Sequence, residues 1–124
     1  MVLIDSDVRK SAFLREAARI VAPAGGPVAV DIRTGRIETE ANQTKLGHVD
    51  IVSARAVAPL PRLIDLAGPL FSAGTLGLFP KGREADAELA AARLEGHWAF
   101  AAELLPSVTD KAARILVVSR VAKA

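Results

Sequence analysis

The sequence predicts an α/β fold with a mainly parallel sheet, and three observations carry that prediction. Short apolar runs of strand length recur along the chain: "VLID", "PVAVDI", "VDIVSA" and "GTLGLFP". Amphipathic or alanine-rich helical stretches lie between several of them, the pattern of strand–helix–strand units with parallel pairing. Two further runs, "FAAELLP" and "RILVVSRV", are joined only by "SVTDKAA". They predict an antiparallel hairpin at one edge of the sheet.

The first run ends in Asp5 and suits a strand buried on both faces. Ser6 or Asp7 can cap the helix that follows. Within that helix Val8, Phe13, Leu14, Ala17, Ala18 and Val21 form an apolar stripe at helical spacing. Arg9, Lys10, Arg15, Glu16 and Arg19 occupy the polar side. Pro23, Gly25 and Gly26 end the helix and turn the chain into "PVAVDI". The polar stretch "RTGRIETEANQTKLGH" then reads as a loop with room for a helical turn. After "VDIVSA", Pro59 and Pro61 open a helix in "RLIDLAGPLFSA" that Gly68 and Pro69 shorten or kink. Gly74 turns the chain into the fourth strand, and "READAELAAARLEGHWAF" predicts a strong helix with i,i+4 charge pairing.

Composition bounds the function. A chain of 124 residues holds one domain at most, and 51% apolar with 24% charged residues is globular. The net charge of +2, with a pI near 9.4, is too small an excess to establish a nucleic-acid partner. The absence of cysteine removes disulfides, thiolate metal sites and cysteine nucleophiles. No secretory h-region and no apolar run of membrane-spanning length are visible. A cytoplasmic protein with no membrane association is the default expectation.

Ligands of doubly wound folds sit at the carboxyl ends of strands, and four places there carry candidate chemistry. Asp5 can accept hydrogen bonds from ribose hydroxyls, and it can equally be a capping or solvated acid. "GRIE", Gly35 to Glu38, can meet an adenine edge or be a surface turn. Arg55 in "SARAVAPLP" follows a strongly apolar strand, where a charge needs a partner or a cleft. Lys81 in "FPKG" lies close to Arg83 and could join Arg33, Arg36, Arg55 and Arg62 in one basic rim that neutralises phosphate. Solvated surface charge is the alternative. His48 and His97 are isolated and no metal site is expected. Gly25-Gly26 lies between a helix and a strand and reads as a turn, and no Walker or GxSxG motif is present.

In this order, "LIDSDVRKSAFLREAAR", "GRIE", "DIVSARAVAPLPRLIDLAGPLF", "GLFPKGREADAELAAA" and "ARILVVSR" resemble the RsmG (GidB) family of 16S ribosomal RNA guanine-N7 methyltransferases. The resemblance implies a class I, Rossmann-like methyltransferase fold with S-adenosyl-methionine as cofactor. It implies 16S ribosomal RNA or the 30S subunit as partner. By position it implies cofactor contacts from Ile37, Glu38 and Arg55, to which the general logic of the fold adds Asp5. Arg36, Arg62, Lys81 and Arg83 are the expected RNA-binding residues. No catalytic residue is expected, because guanine N7 already carries a lone pair and transfer needs mainly proximity and orientation.

The family's first strand and glycine-rich loop would precede "LID". Residues 1–124 are therefore expected to form a partial methyltransferase domain that is inactive alone and binds S-adenosyl-methionine weakly or not at all. The strands at Val2 and Val49 would each lack a neighbour, which favours a homodimer of the chain over direct pairing of those strands or aggregation. Two other readings remain: a non-catalytic RNA-binding or assembly module that keeps the fold, and a nicotinamide-dependent dehydrogenase fragment. The second explains Asp5 but neither "SARAVAPLP" nor "FPKG".

Overall fold

The computed structural model describes residues 1–25, 29–41, 46–55 and 57–124. Its contacts divide the chain into two compact units, Met1–Gln43 and Thr44–Ala124.

In the first unit β1 (Val2–Asp5) pairs in parallel with β2 (Asp31–Thr34), in a register that runs from Val2 beside Asp31 to Asp5 beside Thr34. α1 (Val8–Gly25) connects them. Asp7 is its cap: the carboxylate Oδ1 accepts the amides of Arg9 at 2.8 Å and Lys10 at 3.3 Å. Ser11 is fully buried and donates its hydroxyl to the Asp5 carbonyl at 3.4 Å. Arg15 reaches across to Thr34 Oγ1 at 3.2 Å and to the Ile32 carbonyl at 3.5 Å. On the solvent face Arg19 grips Glu16 one turn earlier, and this hydrogen bond holds the Glu16 carboxyl below its usual range.

Two expectations for this unit are corrected. The second strand occupies Asp31–Thr34 rather than "PVAVDI", because the register with β1 extends it through Arg33 and Thr34. Ala29 and Val30 lie before the strand, and Gly26, Pro27 and Val28 lie outside the described residues. Nor does the apolar stripe of α1 close a core: Val8, Phe13 and Val21 are more than half exposed. Strands of four residues span about 13 Å, whereas an 18-residue helix spans about 27 Å, so about half of the helix length exceeds that of the strands. α2 (Ile37–Ala41) is the helical turn expected in the polar loop, and Asn42 to Lys45 lie outside the described residues.

The second unit holds a four-stranded sheet in the order β3-β4-β6-β5. β3 (Ile51–Ser53) runs parallel to β4 (Leu76–Lys81), while β6 (Arg114–Lys123) is antiparallel to both β4 and β5 (Trp98–Pro106). The terminal hairpin therefore does more than extend an edge. Its second strand slots between β4 and the first, and among the described residues parallel and antiparallel pairings are equal in number. Between β3 and β4 the chain forms α3 (Leu60–Ala67) and a 3-10 turn, Gly68–Leu70; α4 (Ala85–Glu95) follows β4.

Leu60, Leu63 and Ile64 of α3, Ala92 of α4, Phe79 of β4 and Leu116 and Val118 of β6 make the core. Pro59 and Pro61 start α3, and Gly68 and Pro69 convert its end into the 3-10 turn, as their positions predict. A Cβ at Gly68 would lie 2.6 Å from the indole of Trp98, so only glycine admits that ring. The helix predicted to reach Phe100 stops at Glu95, because Gly96 adopts φ 65°. Trp98 then enters β5 opposite Lys123 and donates its Nε1 proton to Asp65 Oδ1 at 3.0 Å. Among the described residues no helix is long and apolar enough to cross a membrane.

Candidate functional site

In the first unit the register sets Asp5 and Thr34 side by side at the carboxyl ends of β1 and β2. One carboxylate oxygen of Asp5 accepts the Asp7 amide at 2.8 Å, which orients the group. Its other oxygen has no hydrogen-bond partner among the described residues. The Gly35 amide donates to the Asp5 carbonyl at 3.0 Å, so the "GRIE" turn begins directly beside Asp5. Ile37 opens α2 and is half-buried, and Arg36 Nε meets Glu38 Oε1 at 3.2 Å. An oriented carboxylate with one oxygen unpartnered among the described residues, next to a turn that presents backbone groups, can accept hydrogen bonds from vicinal hydroxyls.

In the second unit Arg55 lies two residues beyond Ser53, the last residue of β3, is exposed, and has no ion pair or hydrogen bond among the described residues. Its neighbour Ala56 lies outside them. Arg62 in the first turn of α3 and Arg83 between β4 and α4 are likewise exposed and unpartnered among the described residues. Because β3 and β4 are parallel, the segments leaving their carboxyl ends emerge at the same edge of the sheet. Arg55, Lys81 and Arg83 follow or close those strands, and α3 starts from the same edge.

A family model described as GidB, rRNA small subunit methyltransferase G, matches residues 1–115. The chain belongs to the GidB family. It is 47% identical over 117 residues to the Ribosomal RNA small subunit methyltransferase G of Methylobacterium sp. (strain 4-46), covering 94% of this chain and 51% of that relative. The protein of the same name from Methylorubrum populi is 46% identical over 124 residues, with 98% and 53% covered. The GidB chain thus spans about half the length of the curated relatives it matches. Among solved structures, an O-methyltransferase from Bacillus cereus in complex with SAH superposes with a TM-score of 0.60 at 14% identity, covering 96% of this chain and 62% of that one. The fold is that of the class I methyltransferases.

Lys81 departs from the basic rim on which the sequence places it. Its side chain is only 10% exposed, and Nζ donates to Glu88 Oε2 and to the Ala58 carbonyl, both at 2.9 Å. An ammonium with two fixed partners and little access to solvent is not poised to neutralise phosphate. Glu88 accepts a second bond on the same oxygen from the Leu60 amide at 2.9 Å. Sequence reasoning on the GidB chain finds Glu88 only as a helical acid. The one signal for its role is a helix start between two prolines, at Pro59 and Pro61, with no side-chain cap of its own.

Nor are the histidines isolated. His48 Nδ1 lies 3.0 Å from Ser72 Oγ, and its Nε2 lies 3.2 Å from Asp50. The fold gathers His97, Asp65 and Glu95 with ligand-type atoms within 4.8 Å of one another. Gly96 makes this possible by reversing the chain between Glu95 and His97.

Proposed function

We propose that this chain is part of a cytoplasmic S-adenosyl-methionine-dependent methyltransferase that modifies guanine N7 in 16S ribosomal RNA on the 30S subunit. The observation that carries the reading is the family match over residues 1–115, which spans every candidate residue at the strand ends. The residues present fit the cofactor. Asp5 has one oxygen fixed by the Asp7 amide and one without a partner among the described residues, suited to accept hydrogen bonds from ribose hydroxyls. Within the first unit, Ile37 and the Glu38 carboxylate would meet the adenine ring and its amino group; Arg55, exposed and without a partner among the described residues, is a separate candidate contact that rests on the family resemblance alone.

S-adenosyl-methionine supplies an electrophilic methyl group. This chain's residues need to bind, orient and exclude water, since N7 presents a lone pair and no proton must leave before transfer. Arg36, Arg62 and Arg83 are exposed cations suited to RNA phosphates. Deleting the gene that encodes this chain is expected to remove one N7-methylguanosine from 16S ribosomal RNA, read by mass spectrometry of the nucleosides. An unchanged nucleoside profile would overturn the reading.

We further infer that the chain pairs with a second copy. Among the described residues β1 has β2 as its only strand neighbour and β3 has β4, and these strands carry exposed Val2 and Ile51. Open strand edges of this kind recruit other strands. Light scattering is expected to return twice the 13.0 kDa chain mass; a particle of single-chain mass would exclude the pairing.

A further inference from the structure

We propose that Lys81 and Glu88 are positioning residues that set the loop carrying Arg55, and that Lys81 acts through this loop instead of through phosphate. For its functional consequence the proposal rests on the methyltransferase reading; its structural part stands on the hydrogen bonds alone.

The need for such a device arises in the sequence. A helix leaves its first amides without internal partners. α3 begins at Leu60 between two prolines, and Pro59 as its cap residue offers no side-chain acceptor. Leu60 is fully buried, so its amide is poorly placed to find water and an unmet donor there is costly. Glu88 supplies the acceptor from α4, across 28 residues of chain. A carboxylate at a helix N-terminus is also favoured by the helix dipole.

That carboxylate is itself only 22% exposed and requires a counter-charge, which Lys81 provides from the end of β4. The lysine then donates to the Ala58 carbonyl. The ion pair thus holds the chain on both sides of Pro59: at the Ala58 oxygen through Lys81 and at the Leu60 nitrogen through Glu88. Arg55 lies three residues before Ala58 in the sequence, close enough for that anchor to limit its reach. β4, α4 and the loop after β3 are coupled by a single carboxylate oxygen.

Two roles for Lys81 predict opposite signs in one pair of variants. If Lys81 binds phosphate, Lys81→Met weakens RNA binding and Glu88→Gln, which removes a nearby anion, strengthens it. If the pair positions the loop, both variants act in the same direction. The expected result is that each variant speeds hydrogen exchange at the Leu60 amide, the one amide the clasp bonds, about tenfold, the scale of a lost charged hydrogen bond. Each also lowers methylation of 16S ribosomal RNA. The log–log salt slope for binding a 16S RNA fragment stays unchanged.

The proposal is overturned if Lys81→Met leaves the Leu60 amide unchanged and reduces the slope by about 0.7, the signature of one lost phosphate contact on single-stranded RNA. It is also overturned if Glu88→Gln leaves the Leu60 amide unchanged. The near-isosteric Glu88→Gln carries the test if Lys81→Met fails to fold. Because exchange is measured on the chain without substrate, it decides the clasp even if no methylation is found. Failure of the methyltransferase reading would show separately, as an unaltered RNA nucleoside profile.

Discussion

Phe79→Ala is expected to destabilise the second unit by about 3 to 5 kcal/mol, the range for truncating a buried aromatic side chain. Phe79 is fully buried and sits in the middle of β4, opposite Leu116 of β6, which is also fully buried. β4 has β3 on one side and β6 on the other, so the lost ring leaves a cavity where the sheet meets both helices. Domains of this size have total stabilities of about 5 to 15 kcal/mol, so the variant retains only part of its margin. Urea unfolding followed by the fluorescence of Trp98, the chain's one tryptophan, measures the change. Leu94→Ala serves as the control: Leu94 is 86% exposed, and its removal is expected to cost less than about 0.5 kcal/mol. A Phe79→Ala midpoint close to that of the control would mean that β4 does not organise the core.

Under the proposed function, Arg55→Ala is expected to lower methylation of 16S ribosomal RNA about 10- to 100-fold, the worth of one hydrogen bond to a charged group in the reacting complex. Stability should not follow. Arg55 is exposed, and its truncation removes no hydrogen bond or ion pair among the described residues. The measurement is the N7-methylguanosine content of 16S ribosomal RNA in a strain whose only copy carries the substitution, beside a thermal melt of the purified variant. Full methylation with an unaltered melt would remove Arg55 from the site. A lowered melting temperature would instead assign the arginine a structural role.

Several features were legible in the chain because they depend on neighbours close in sequence. Asp7 caps α1 through amides two and three residues on, and Pro59, Pro61, Gly68 and Pro69 bound α3 through their own backbone restrictions. The strand ends that present Asp5 and Arg55 follow from apolar runs that stop at a charge. Other features waited on contacts between distant segments. β2 begins at Asp31 because β1 sets its register, although the more apolar residues lie just before it. Helical character continues on paper through His97 and Trp98. The left-handed turn at Gly96 and the bond from Trp98 to Asp65, 33 residues away, place them beyond the helix.

Lys81 shows the same division within the candidate site. Its position at the end of a strand was readable from the sequence, and a lysine there is as suited to phosphate as any other exposed cation. Whether its charge is available depends on Glu88 of α4 and on the carbonyl of Ala58, 23 residues earlier. Local sequence sets which residues reach the end of a strand, because pleat and capping act over a few residues. Only the tertiary structure decides which of those charges are already neutralised, because an ion pair is formed by groups that folding brings within about 4 Å, wherever they lie in the chain.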